Sequence, residues 1–116
     1  MIRRSGNYDD ILHEAVAHNG VLYLAGIVAE DLSLDMAGQT ADALRQIDAL
    51  LAAHGSSRER LLTALIFITD MRLKPEMNRV WKEWLPAAHL PTRATIGVND
   101  LDEGVLIEIV ATAALP

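Results

Sequence analysis

The chain has 116 residues, 51% of them apolar, and a formal net charge of −6 at pH 7. That length fits one domain with a single core, and the acidic balance argues against a nucleic-acid-binding protein, which needs a basic face. The absence of cysteine excludes disulfides, thiol chemistry and the common closed zinc sites. The basic start Met1–Gly6 lacks a following apolar run, and no stretch approaches the length of a membrane span. We therefore expect a soluble cytoplasmic protein without a membrane partner.

The residue pattern in the first third of the chain predicts a β-hairpin. Residues 2–7 are polar and short, which indicates an edge strand or an arm. Segment 11–18 is compatible with helix or strand, but Asn19-Gly20 after it is typical of a two-residue hairpin turn, because both residues tolerate positive φ. The turn favours a strand for segment 11–18 and for the apolar run Val21–Val28.

The next segment predicts the first helix. Asp35 is a candidate N-cap, and Gly55 is a candidate stop signal. The residues that recur with helical spacing on one face are Met36, Thr40, Ala43, Leu44, Ile47, Leu50 and Leu51. The polar residues expected mostly on the opposite face are Gln39, Asp42, Arg45, Gln46 and Asp48.

The second half of the chain predicts three strands and another helix. Leu61–Thr69 is apolar on both faces, which indicates a strand covered on both sides. A second amphipathic helix is predicted over Arg72–Leu85, with Pro75 in its first turn. A strand carrying Arg93 follows, and a last strand is predicted over Val105–Ala114.

The resulting order is β-β-α-β-α-β-β, without repeats or linkers. It predicts one α+β domain spanning residues 1–116, with a single mostly antiparallel sheet and two helices on one face. Two helices cover only one side of such a sheet. The strands at Leu61–Thr69 and Val105–Ala114 have apolar residues on both sides. We therefore expect the sheet face that the helices leave uncovered to be an oligomer interface.

Two charges stand out within the last two apolar strands. Arg93 opens the run Arg93–Val98, and Glu108 lies between Ile107 and Ile109. An apolar strand rarely buries a charge without a partner. Two interpretations follow. The pair forms an ion bridge between neighbouring strands, since a guanidinium binds a carboxylate through two parallel hydrogen bonds. Alternatively, Arg93 holds the carboxylate of a ligand while Glu108 handles a proton or a water.

At these residues the chain resembles the Rid family of reactive intermediate deaminases, also called YjgF-like proteins. The segments that carry the resemblance, in order, are Leu24-Ala-Gly26, the helix from Asp42, Leu65-Ile-Phe-Ile-Thr-Asp70, Met77-Asn78-x-x-Trp81, Pro91-Thr-Arg93-Ala-Thr-Ile-Gly-Val98 and Leu106-Ile-Glu108-Ile-Val110. Together they cover about residues 10 to 114.

The resemblance implies a chorismate-mutase-like fold in a homotrimer, in which three sheets meet in a central barrel and ligands bind in clefts between subunits. It implies hydrolysis of 2-enamine or 2-imine acids to 2-oxo acids and ammonia, with no cofactor. Arg93 matches the carboxylate-binding arginine, and Glu108 matches the glutamate that positions water. The Thr95 backbone, Gly26 and Asn78 match groups that line the cleft, although Asn78 could equally face solvent.

The chain also departs from the family pattern. Leu12 stands where the deaminases have a tyrosine, with Tyr8 four residues away, and Ala25 stands where they have a serine. These departures keep open a second interpretation, a non-catalytic trimer that binds a small carboxylate such as a 2-oxo acid. A nuclease ranks third because of the acidic charge. No metal site is predicted, since the spacing of His13 and His18 suits neither a helix face nor a strand face.

Overall fold

The computed structural model describes all 116 residues and contains one sheet and two helices. In chain order the elements are β1 (Arg3–Tyr8), β2 (Leu12–His18), β3 (Val21–Leu24), β4 (Ile27–Val28), α1 (Met36–Ala53), β5 (Leu61–Ile68), α2 (Lys74–Trp84), β6 (Thr92–Gly97) and β7 (Ile107–Ala114). Neither helix is both long enough and apolar enough to cross a membrane.

The strand order across the sheet is β1-β2-β3-β7-β5-β6, and β4 pairs with β7 beyond the end of β3. Every pairing is antiparallel except β5 with β6, which are joined through α2 and run parallel. A parallel pair needs such a crossover, because the chain must return to the same end of the sheet. The predicted α+β class, with two helices on a mostly antiparallel sheet, is confirmed.

Several predicted boundaries change. Segment 2–7 is a true edge strand, so the observed order begins with one more strand than the predicted β-β-α-β-α-β-β. The single strand predicted over Val21–Val28 is interrupted at Ala25 and Gly26. The second helix starts at Lys74 because Asp70 caps a short 3₁₀ turn by accepting the N–H of Arg72.

Helix α1 packs on the sheet through the predicted apolar face. The Asp35 carboxylate accepts the N–H of Gly38 at 2.9 Å, which confirms the N-cap. Gln39 does not face solvent as predicted; it is fully buried. Its amide N–H groups donate to the carbonyls of Leu34 and Gly104, and its oxygen accepts the N–H of Leu106. Gln39 thus fixes the backbone at Gly104 and Leu106, just before β7. Regular pairing of β7 starts at Ile107 instead of the predicted Val105.

The side of the sheet opposite the helices is open. On β5 the buried residues Ala64, Ile66 and Ile68 face the helices, while Leu65 on the other face is 42% exposed. Ile96 on β6 and Tyr23 on β3 are likewise 41% and 48% exposed. The prediction that this strand is covered on both sides is therefore wrong within one subunit. A contiguous apolar sheet face of this kind marks an interaction surface.

Candidate functional site

Arg93 projects from β6 toward α2. It is in register with buried Ala64 of β5, so its side chain lies on the helix-covered face of the sheet. One Nη donates to Asn78 Oδ1 at 2.7 Å, and the guanidinium lies 5.2 Å from the ring centre of Trp81. Asn78 and Trp81 are three residues apart on α2, which places both on one helix face. The helix therefore offers Arg93 an amide oxygen and an aromatic face but no carboxylate.

The Arg93 cation has no ionic partner within the subunit. Partial burial lowers the pKa of the guanidinium from its usual value, because desolvation disfavours the charged form. A guanidinium has five N–H donors in a fork that matches a carboxylate, and only one hydrogen bond to a protein group is made here. The arrangement can accept a carboxylate from outside the subunit.

Thr95 lies on the same face as Arg93, two residues further along β6. Its hydroxyl oxygen is buried and makes no hydrogen bond. A buried hydroxyl without a partner is unfavourable by about 1–3 kcal/mol. Together Arg93, Thr95 and Asn78 form the first group of predicted residues that the fold brings together, which we call the arginine group.

Glu108 projects from β7 in the opposite direction. Its neighbours Ile107 and Ile109 are buried under the helices, so Glu108 lies on the open sheet face, half-buried. No hydrogen bond or ion pair to Glu108 occurs within the subunit. The carboxylate lies directly over Gly26: a Cβ built on that glycine would overlap Oε2 and come within 2.9 Å of Cδ. Gly26 therefore leaves room for Glu108, and the two residues form the second group, which we call the glutamate group.

Of the two interpretations of these charges, the ion bridge between Arg93 and Glu108 is wrong within one subunit. Strand β5 separates their strands, and the two side chains lie on opposite faces of the sheet. Two strand spacings and three residues of strand rise put their Cα atoms about 14 Å apart. The proximity of the two segments in sequence was misleading, because the pairing order of β6, β5 and β7 is not the chain order.

An open cleft of about 420 Å³ adjoins the glutamate group. Its walls come from the β1–β2 hairpin, the Ala25–Glu30 segment and α1, and they include Tyr8 and Leu12. Tyr8 pairs directly with Leu12 across the hairpin, whose turn residues Asp9 and Asp10 both have positive φ. Sequence reasoning missed this pairing. The consecutive residues Asp9 and Asp10 could have indicated the turn, since aspartate adopts a positive φ more readily than most residues.

No group of three or more His, Cys, Asp or Glu side chains is arranged so that it could hold a metal ion. The four histidines are dispersed: His54, for example, bonds to the carbonyl of Leu50 at the end of α1 and to Ser5 of β1.

Comparison with known proteins identifies the family. The family model described as endoribonuclease L-PSP matches residues 6–115. The chain belongs to this family, which includes the RutC and YjgF proteins. Among curated relatives, the RutC family protein YoaB of Escherichia coli is 38% identical over 102 residues, covering 88% of this chain and 89% of YoaB. A RutC family protein of Haemophilus influenzae is also 38% identical, with the same coverage of both chains.

Solved structures agree with this assignment. NMB1025 of Neisseria meningitidis, a member of the YjgF family, superposes with a TM-score of 0.93 at 38% identity, covering all of this chain and 96% of that one. YyfA of Yersinia pestis, a protein of the Rid family, superposes with a TM-score of 0.87 at 25% identity, covering 97% of this chain and 94% of that one. The family resemblance expected from the sequence is confirmed.

Proposed function

We propose that this protein hydrolyses reactive 2-enamine and 2-imine acids to 2-oxo acids and ammonia, in clefts between subunits of a homotrimer. The observation that carries the proposal is the state of Arg93: a half-buried guanidinium, oriented by Asn78 and Trp81, with no carboxylate partner. Such a cation is suited to anchor the carboxylate that every 2-imino acid carries. Membership in the YjgF and RutC family supports the same reading.

Glu108 supplies the second function that the reaction needs. It accepts a proton from water as the water oxygen bonds to the imine carbon, and it passes that proton to the imine nitrogen. The resulting carbinolamine loses ammonia as its hydroxyl proton moves through Glu108 to the nitrogen, the C–N bond breaks and the C=O bond forms. A positioned base contributes about 10²- to 10⁴-fold, which is sufficient because imines already react with water.

The placement of the two groups supports a site assembled from two subunits. The arginine group and the glutamate group cannot reach one small ligand within a single subunit, since they lie on opposite sheet faces. The open apolar face around Leu65 and Ile96 supplies a surface on which subunits can associate. We propose that association brings Arg93 of one subunit to Glu108 of the next.

The second candidate function is binding of a small carboxylate without catalysis. It is favoured by Leu12 and Ala25 beside Gly26, which are apolar where the deaminases it resembles have a tyrosine and a serine; the hydroxyl in this cleft comes from Tyr8 instead. Both functions require Arg93, whereas only hydrolysis requires Glu108.

The test is a coupled assay. An amino-acid oxidase generates 2-imino acids from several amino acids in the presence of semicarbazide, and faster formation of free 2-oxo acid reports hydrolysis. We expect acceleration by the wild type, a loss of about 10- to 100-fold in kcat/KM for Arg93→Ala, and loss of kcat for Glu108→Gln. Arg72→Ala is the control, because Arg72 is 90% exposed and pairs only with Asp70. Pyruvate binding without acceleration of any imine would establish the second candidate instead.

A further inference from the structure

The carboxylate anchor is connected to a second cluster of charged and aromatic side chains at the end of α2. We infer that Asp48 and Arg58, which do not contact Arg93, are positioning residues that set the orientation of its guanidinium through Trp84 and Trp81. The inference rests on the proposed function, since it treats Arg93 as the ligand anchor.

Asp48 and Arg58 form a bidentate ion pair. Asp48 lies on α1, and Arg58 lies in the turn after it. The Arg58 Nε and Nη2 atoms donate to the two carboxylate oxygens at 3.0 and 2.6 Å. Both side chains are about one-third exposed. The fork geometry fixes both side chains in one orientation, as single-point ion pairs do not.

This ion pair holds the last turn of α2 at Trp84. The indole N–H of Trp84 donates to Asp48 Oδ2 at 2.8 Å. Arg58 Nη1 donates to the carbonyl of Trp84 at 2.7 Å, and its guanidinium lies 5.0 Å from the centre of the indole ring. The carbonyls of a final helical turn lack intrahelical partners, so Arg58 satisfies one of them. Trp84 is thereby fixed through both its main chain and its ring.

Trp84 in turn packs against Trp81, with ring centres 5.8 Å apart and planes inclined by 49°. Trp81 is only 6% exposed, and its ring also bears the Arg93 guanidinium at 5.2 Å. The second contact of Arg93, to Asn78, comes from the same helix one turn earlier. Every polar or aromatic contact that orients Arg93 thus belongs to α2, whose end is held by Asp48 and Arg58.

A close-packed interior transmits a displacement of one side chain to its neighbours. Release of Trp84 would therefore allow Trp81 to tilt, and Arg93 would lose its preferred orientation. If the cluster only fastened α2 to α1, its removal would lower the free energy of unfolding and leave the affinity for a carboxylate unaltered. That difference makes the inference testable.

The experiment compares pyruvate binding by calorimetry and imine hydrolysis for the wild type, Asp48→Ala and Arg72→Ala. Arg72 is the matched control, because it forms a bidentate pair with Asp70 at 3.0 and 2.8 Å, its side chain is 90% exposed, and its loss leaves the Asp70 cap in place. We expect Asp48→Ala to raise the Kd for pyruvate and the KM about tenfold while kcat changes less than twofold. Arg72→Ala should leave all three unchanged.

The protein has only two tryptophans, so the tryptophan bands of its near-ultraviolet circular dichroism report on this cluster. We expect the Trp81–Trp84 signal to change in Asp48→Ala and to persist in Arg72→Ala. Arg58→Lys, which keeps the charge but loses the fork, should also raise the Kd, and it decides the matter if Asp48→Ala does not fold.

Two distinguishable outcomes overturn the inference, the first of them without touching the proposed function. If the dichroism changes while Kd and KM stay at wild-type values, the cluster serves stability alone and only this inference fails. If the wild type neither binds pyruvate nor accelerates imine hydrolysis, Arg93 is not an anchor, and both the proposed function and this inference fail.

Discussion

Arg93 and Glu108 lie on opposite faces of the same sheet, and β5 runs between the strands that carry them. Both charges lack an ionic partner within the subunit. A reaction that uses both therefore needs a second copy of the chain, in which the arginine group of one subunit meets the glutamate group of another.

Arg93→Ala and Glu108→Gln should complement each other in mixed oligomers. Each variant alone should keep only residual activity, at most about a tenth of the wild-type kcat/KM, because every site lacks one of the two groups. After refolding from an equimolar mixture, a site is complete when its arginine side comes from one variant and its glutamate side from the other. Random assembly gives about one-quarter of wild-type activity in a closed head-to-tail ring.

The control for complementation is the double variant, carrying both substitutions in one chain, mixed with the wild type under the same conditions. Recovery close to zero in the mixture of single variants, with oligomer formation verified by light scattering, would show that both groups act within one subunit.

Gly26→Ala should displace the Glu108 carboxylate. The added Cβ would overlap Oε2 and lie 2.9 Å from Cδ, so the side chain must move. Overpacking of this kind costs about 1–3 kcal/mol in the free energy of unfolding. We expect loss of that size in urea denaturation, together with a fall in kcat that leaves carboxylate binding at Arg93 intact.

Glu108→Ala should remove the stability penalty of Gly26→Ala, because the overlapping atoms are then gone. A double-mutant cycle measures this coupling. Equal penalties in the presence and absence of the Glu108 side chain would show that the cost of the added methyl does not come from its contact with Glu108.

Gln39→Leu should destabilise the fold strongly. Gln39 is fully buried, and its amide serves the carbonyls of Leu34 and Gly104 and the N–H of Leu106. An apolar replacement leaves these backbone groups without partners at about 1–3 kcal/mol for each that stays dry. We expect a loss of about 3 kcal/mol in urea denaturation. Gln39→Glu should be no better, since a carboxylate cannot donate; a loss below about 0.5 kcal/mol in either variant would contradict this account.

The stability of the protein should fall in acid partly through Asp42. Burial by itself raises the pKa of this carboxyl, but hydrogen bonds from the backbone N–H groups of Asp31 and Glu30 and from Arg45 and Gln46 outweigh it and lower the pKa. A carboxyl whose pKa is lower in the folded state than in the unfolded state stabilises the fold at pH values above its unfolded-state pKa of about 3.9. That stabilisation is lost as the pH falls through the folded-state pKa.

Asp42→Asn should therefore lower the stability by about 1 kcal/mol at pH 7, and the difference from the wild type should shrink below about pH 4. Denaturant curves at pH 7 and pH 3 measure it. A difference that stays constant between these two pH values would show that the carboxylate charge contributes nothing.

Local sequence patterns predicted most of the elements. The Asp35 cap and the helical spacing after it gave the start of α1, and the Asn19-Gly20 pair gave the hairpin turn, where both residues do have positive φ. These features depend on short-range hydrogen bonds and on the φ preferences of single residues, so a few neighbouring residues suffice to specify them. The break at Gly26 was not predicted, because the apolar run Val21–Val28 has the pattern of one strand, whereas β3 and β4 pair with separate stretches of the distant strand β7.

The sequence by itself thus determined the family, the α+β order, the two helices and the residue types available for chemistry: one arginine and one glutamate in apolar strands. Only the tertiary structure decided which of these side chains meet. It put Arg93 on Trp81 and Asn78, set Glu108 over Gly26, buried Gln39 and paired Tyr8 with Leu12. The physical reason is that strand order and register arise from pairing between distant segments, and a side chain's partners follow from that pairing rather than from its neighbours along the chain.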